Sequence, residues 1–146
     1  MSAEHSTNAV GYVRVASGSS RKREGSIYLQ RQAILRYAKD NGIRIARFFA
    51  DHACIADIEL RQGLIDAMAF IASGKASVLI VADVTRITRS AEGFLRFIEQ
   101  HRFLKDVLGF ISVQERVDTR TAEGRVMLGT LHALGTWESS ELARGV

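Results

Sequence analysis

The chain has 146 residues, of which 47% are apolar and 25% charged, and a formal net charge of +4. That is the size and composition of one globular domain and excludes a wholly disordered polypeptide. No stretch of about 18 residues is apolar enough to span a bilayer, so no membrane partner is expected.

Residues 8–16, with Val10, Tyr12 and Val15, predict a first strand. Residues 17–25 are a polar loop. Ser26 is placed to cap a helix running to Asn41, with Leu29, Ala33, Ile34, Tyr37 and Ala38 on its inner face and Gly42 as its stop. Residues 43–50 predict a second strand, and 51–60 a loop. Residues 61–73 form a second helix with Leu64, Ile65, Met68, Ile71 and Ala72 inward and Gly74 after it. The apolar run 78–82 is a third strand. A polar turn, 83–90, leads into a helix carrying Phe94, Leu95, Phe97, Ile98 and Leu104. Phe94, Phe97 and Phe103 read as core rather than as a stacking platform for bases. Residues 108–113 are a fourth strand and 114–121 a loop. The last helix starts near Ala122, with Met127, Leu128, Leu131, Leu134 and Trp137 as its apolar positions.

Strands alternating with helices imply crossover connections. The expected fold is α/β: a mainly parallel sheet of four to five strands with helices on both faces, plus a long C-terminal helix. Residues 1–146 would form a single domain. Sites in such sheets lie outside the carboxyl ends of the strands, so the loops after Val15, Ala50 and Ala82 should gather in space. They bring four arginines from separate segments: Arg14, Arg61, Arg86 and Arg89. Like charges cluster at a cost unless an anion lies between them, and guanidinium forks match phosphate oxygens. A phosphodiester is the natural guest. The competing reading has these arginines pointing apart and pairing with Asp51, Asp57 or Asp83. Residues 14–47 carry nine basic residues against Glu24 and Asp40, which suits a polyanion such as DNA or RNA, or a solvated helix face.

Other chemistries find little support. His5, His52, His101 and His132 have no ligand-spaced partners, so no metal is expected. Gly18 belongs to no nucleotide-triphosphate loop. Cys54 is a single thiol that can neither staple the fold nor bind zinc alone. The polar start, residues 1–8, lacks the hydrophobic block of a secretory leader, and a reducing, cytoplasmic setting is expected.

Five motifs in order resemble the catalytic domain of the serine recombinases, the resolvase and invertase group. They are Tyr12-Val13-Arg14-Val15 at the end of the first strand, Gln30-Arg31 in the first helix and Arg61-Gln62-Gly63-Leu64. Thr85-Arg86-Ile87-Thr88-Arg89-Ser90 and Gly124-Arg125-Val126-Met127-Leu128 complete the set. The resemblance spans roughly residues 10–144. It implies site-specific DNA recombination: a serine hydroxyl attacks a phosphodiester, forms a phosphoserine link to the 5′ end, and subunits exchange strands, with no cofactor. It also implies that Arg14, Arg61, Arg86 and Arg89 hold the phosphate, with Tyr12, Gln30 and Arg125 supporting or contacting it. The last helix, residues 122–146, is expected to be an interface in a homodimer or tetramer.

The match fails at the site itself. Ala16 stands where the family has its nucleophile, Thr85 where it has an aspartate, and Ala53-Cys54-Ile55-Ala56 where G-x-S-G is common. A methyl group cannot attack phosphorus. A degenerate domain that keeps its arginines but does not cut DNA is the leading expectation. A displaced nucleophile, Ser17 before Ser19 or Ser20, is another, and a deliberate replacement of the serine a third. Two further classes stay open: a non-catalytic DNA-binding or oligomerisation module that modulates an active recombinase, and a different phosphate-handling enzyme on a similar fold. The family attaches a separate DNA-binding domain after the last helix. The sequence ends at Val146, so specific DNA affinity is expected to be weak and salt-sensitive.

Overall fold

The structure, a computed structural model, describes residues 7–15, 20–52, 61–101 and 108–134. Five strands form one sheet: β1 (Thr7–Arg14), β2 (Ile43–Asp51), β3 (Val78–Val81), β4 (Gly109–Ser112) and β5 (Val117–Asp118). Their order is β2-β1-β3-β4-β5. The first four are mutually parallel and β5 runs antiparallel to β4. The helices are α1 (Ser20–Asp40), α2 (Gln62–Ala72), α3 (Ala91–Gln100) and α4 (Ala122–Leu134), with a 3₁₀ turn over Val84–Arg86.

β3, at the centre of the sheet, is apolar at every position because both faces of the sheet are covered. Val78, Leu79, Ile80 and Val81 are all fully buried. On one face Ala9, Val13, Val78, Ile80 and Ile111 pack on Ile34 and Ala38 of α1. On the other, Val10, Tyr12, Leu79, Val81 and Phe110 meet α2, α3 and α4. Phe110 is enclosed by Phe94 and Phe97, edge to face, at centroid distances of 5.3 and 6.2 Å. Gly11, in the middle of β1, has no room for a side chain: a Cβ there would lie 2.4 Å from the Phe48 ring.

β2 forms one edge of the sheet. Its pairing with β1 slips at Ala46, where the register passes from Ala9↔Ile45 to Val10↔Arg47. Arg31 of α1 lies over the Phe48 ring at 4.5 Å, and Arg47 lies 5.6 Å from the Phe49 ring.

Several expectations change. α1 begins at Ser20, so Ser26 lies inside the helix and its Oγ accepts from Gln30 Nε2 at 3.0 Å. The run from Arg21 to Glu24 supplies good helix formers, so a polar composition did not make a loop. Leu29 is 67% exposed. The buried stripe of α1 runs through Gln30, Ile34 and Ala38, and Leu29 lies off it. In α2 the inner face is Leu64, Ala67 and Ile71, while Ile65 and Ala72 face out. The predicted loop 114–121 contains β5, too short to show a period. In α4, Leu128 and Leu131 are buried in this chain's own core. Val126 is the large apolar residue left outside, 68% exposed. Phe103, Leu104, Trp137 and the side chain of Leu134 lie outside the described residues.

Candidate functional site

The carboxyl ends of β1, β2 and β3 meet as the alternation of elements requires. β1 ends in Arg14, β2 in Asp51, and β3 leads into the turn 83–90. The backbone of that turn is the anchor. Arg14 Nε donates to Arg86 O at 3.0 Å and Arg14 Nη2 to Thr85 O at 2.6 Å. Arg61 Nη1 donates to Arg86 O at 2.8 Å and to Ile87 O at 2.6 Å. Arg86 Nη1 returns the contact by donating to Arg14 O at 3.1 Å. Arg14 and Arg61 are thereby held on the short stretch of main chain that carries Arg86, and Arg86 is held on the end of β1.

Burial grades them. Arg61 is 2% exposed and Arg14 8%, Arg86 is half-buried and Arg89 is exposed. Burial lowers the pKa of the Arg14 guanidinium from its ordinary value, and the positive fields of Arg61, Arg86 and Arg89 lower it further. All four arginines therefore act on one electrostatic neighbourhood. Among the described residues Arg14 has no carboxylate bonded to it; its donors go to carbonyl oxygens. Arg86 has Asp83, whose Oδ2 lies 3.2 Å from Nε. That nitrogen is buried without an aligned hydrogen bond, so this contact is one of charge alone.

Gln30 grips the end of β1 from α1. Its Oε1 accepts from Arg14 N and its Nε2 donates to Arg14 O, both at 3.1 Å. Tyr12, buried, donates from Oη to Asp51 Oδ2 at 2.6 Å. Burial and this bond to a carboxylate raise the phenol above its usual range, so it remains a donor. Asp51 in turn accepts from the first turn of α2, at Oδ1 from Gly63 N (2.8 Å) and at Oδ2 from Leu64 N (3.1 Å). The residue before α2, Arg61, makes no side-chain cap itself, so the cap comes from a neighbouring strand. Gly63 permits that approach: a Cβ there would lie 2.3 Å from Ala50 O. The sequence Arg61-Gln62-Gly63-Leu64 thus places an arginine at the site and a glycine where strand and helix touch.

Arg125 lies elsewhere in the bonding pattern. Its Nε donates to Thr119 O at 2.6 Å, which fastens α4 to the turn after β5. Gly124 beside it packs against the backbone of Asp118. Ala16, Ser17 and Ser19 lie outside the described residues, as do residues 53–60, including Cys54 and Asp57. Ser20 is the first residue of α1, and its side chain also lies outside. Thr85, where the family has an aspartate, donates its hydroxyl to Asp83, and Asp83 also accepts from Thr85 N at 3.0 Å. A carboxylate is therefore present at this turn, two residues earlier.

Two residues at the site escaped sequence reasoning. Only the competing reading names Asp51, as one of three possible partners for an arginine, whereas its described hydrogen bonds tie Tyr12 to α2; its cap acts across twelve residues, with no local spacing to reveal it. Glu115, in the turn between β4 and β5, accepts from Val84 N at 3.2 Å and from Ser112 Oγ. A lone glutamate in a polar turn gives no signal. Among the described residues no three His, Cys, Asp or Glu are grouped to hold a metal, and no helix is long and apolar enough to cross a membrane.

The sequence pattern of the family described as Resolvase, N terminal domain, matches residues 9–146. The chain belongs to that family. Its fold is that of serine-recombinase catalytic domains. The N-terminal catalytic domain of TP901-1 integrase is similar with a TM-score of 0.75 at 23% identity, covering 94% of this chain and 97% of that one. A resolvase family site-specific recombinase from Streptococcus pneumoniae gives 0.63 at 20% identity, covering 94% and 88%. The C-terminal catalytic domain of ISC1926 TnpA, an IS607-like serine recombinase, gives 0.60 at 21%, covering 84% and 76%. At these identities the likeness is one of fold. No curated protein sequence matches the chain. Within the resolvase fold, the arginine cluster occupies the carboxyl edge of the sheet.

Proposed function

We propose that this resolvase-family domain binds the phosphodiester backbone of DNA through Arg14, Arg61, Arg86 and Arg89, and that it does not cut the strand. The observation that carries the reading is the buried Arg14 guanidinium within the positive fields of three other arginines. Concentrated positive charge in a region poor in water is costly unless a counter-charge joins it. A diester offers two oxygens to planar guanidinium forks, and fixed cations stabilise charge on phosphoryl oxygens. Gln30 and Tyr12 support the site by fixing the end of β1 and, through Asp51, the start of α2. Ala16, at the family's nucleophile position, has no hydroxyl to offer.

The reading includes self-association through the last helix, with Val126 as the apolar residue on its described outer face. Action on DNA fits a cytoplasmic location.

The test is incubation with supercoiled DNA, trapping any covalent protein–DNA adduct, with Ser17→Ala beside the parent. The expected result is salt-sensitive binding without an adduct. An adduct lost in Ser17→Ala would show that the neighbouring serine has taken over as nucleophile.

A further inference from the structure

Two carboxylates flank Val84 at the base of the turn that carries Arg86. On one side Asp83 accepts from Thr85 and lies against Arg86 Nε. On the other, Glu115 reaches across from the β4–β5 turn and accepts from Val84 N and Ser112 Oγ, both at Oε1. Its Oε2 is buried with no hydrogen-bond partner. An ionised carboxylate with an orphaned buried oxygen and a second carboxylate close by is disfavoured, and a proton on it removes the buried charge and the repulsion.

We propose that Glu115 is a proton-linked positioning residue for Arg86, neutral when a polyanion occupies the arginine cluster and ionised more readily when none does. The inference rests on the reading of that cluster as a DNA-phosphate site. Among the described residues, the groups that face Glu115 are Asp83 from the turn after β3, the Val84 N–H from the same turn, and the Ser112 hydroxyl from β4. Arg86 is reached through Asp83. Burial first, then the field of Asp83, push the Glu115 carboxyl up to about 7, while the bonds from Ser112 and Val84 hold it down. A phosphate beside Arg86 adds negative potential and raises proton affinity at Glu115. By reciprocity, a proton on Glu115 strengthens phosphate binding. DNA binding then takes up a proton near neutral pH.

The experiment is the affinity of the whole chain for a short fluorescent DNA duplex, read by anisotropy at constant ionic strength from about pH 5.5 to 8.5. Parent affinity is expected to weaken by about three- to tenfold across that range, the effect of a shift of up to one pKa unit. Glu115→Gln should remove most of this slope and keep the tighter, low-pH affinity. His52 and His132, exposed in both proteins, cancel in the comparison. Ser112→Ala, which leaves Glu115 titratable but removes a bond favouring its ionised form, should move the midpoint to higher pH. Equal slopes in the parent and Glu115→Gln would overturn the inference while leaving the DNA site intact. Undiminished binding by Arg86→Ala at low pH would overturn the site itself, and the inference with it.

Discussion

Tyr12 Oη donates to Asp51 Oδ2, and the same carboxylate accepts from the backbone of Gly63 and Leu64. One side chain therefore joins the ends of β1 and β2 to the first turn of α2, one residue after Arg61. The arginine cluster depends on this junction, because Arg14 follows Tyr12 by two residues and Arg61 sits just outside the capped turn. Tyr12→Phe removes one hydrogen bond and should destabilise the domain by about 1–2 kcal/mol. Asp51→Ala leaves two backbone donors and a buried phenol without their acceptor, so it should cost more, about 2–4 kcal/mol. Urea unfolding of both variants checks the order; a larger loss in Tyr12→Phe would show that the carboxylate is not the hub.

Glycine positions separate by what surrounds them. A methyl group at Gly63 would meet Ala50 O at 2.3 Å, while at Gly129 in α4 nothing lies within 4 Å. Gly63→Ala should therefore destabilise by more than about 2 kcal/mol, since backbone must move on one side or the other. Gly129→Ala should instead stabilise by roughly 0.5–1 kcal/mol through helix propensity. Thermal melts of the pair should shift in opposite directions.

The four arginines should part company under mutation. Arg89 is exposed, so Arg89→Ala should leave stability within about 0.5 kcal/mol. It should weaken DNA binding and reduce the slope of log affinity against log salt by about one. Arg61, almost fully buried, supports two carbonyls of the turn. Arg61→Ala should cost more than about 2 kcal/mol of stability, so its loss of DNA binding would mix two causes. Salt titrations of binding alongside unfolding curves distinguish them.

Glu115 also makes stability depend on pH. Its carboxyl is raised to about 7 in the folded chain, above its value when unfolded. The native state then holds a proton that the unfolded state has released, so stability falls as pH rises from about 4.5 towards 7 and levels off above. The loss is on the order of 3 kcal/mol for a shift of this size. Glu115→Gln should abolish that decline and exceed the parent in stability above pH 7. Unfolding free energies at acid, neutral and mildly alkaline pH provide the check; parallel curves would show that Glu115 does not titrate there.

Much of the architecture was legible because periodicity reports burial directly. The run of Val78 to Val81 announced a strand covered on both faces, and the spacing of Phe94, Phe97 and Ile98 announced the inner face of α3. What escaped was set by contacts between distant segments. Leu29 had the chemistry of a core residue, yet the helix phase gave its place on the stripe to Gln30, whose amide bonds both the backbone N–H and the carbonyl of Arg14. β5 has two residues and no period to read. The convergence of Arg14, Arg61 and Arg86 followed from topology alone, since parallel strands deliver their carboxyl ends to one edge. The hold of Arg14 and Arg61 on the carbonyls of residues 85–87 did not, because backbone acceptors leave no trace in composition.

The two ends of the sheet differ in a way that governs how copies can meet. At one, β5 offers only two residues, too few to template another strand. At the other, β2 is nine residues long, but its slip at Ala46 twists the ladder and Arg44 and Arg47 stand outward along it. A second chain approaching there would face a kinked rail carrying like charges. Edge-to-edge pairing of sheets is thereby discouraged at both described margins.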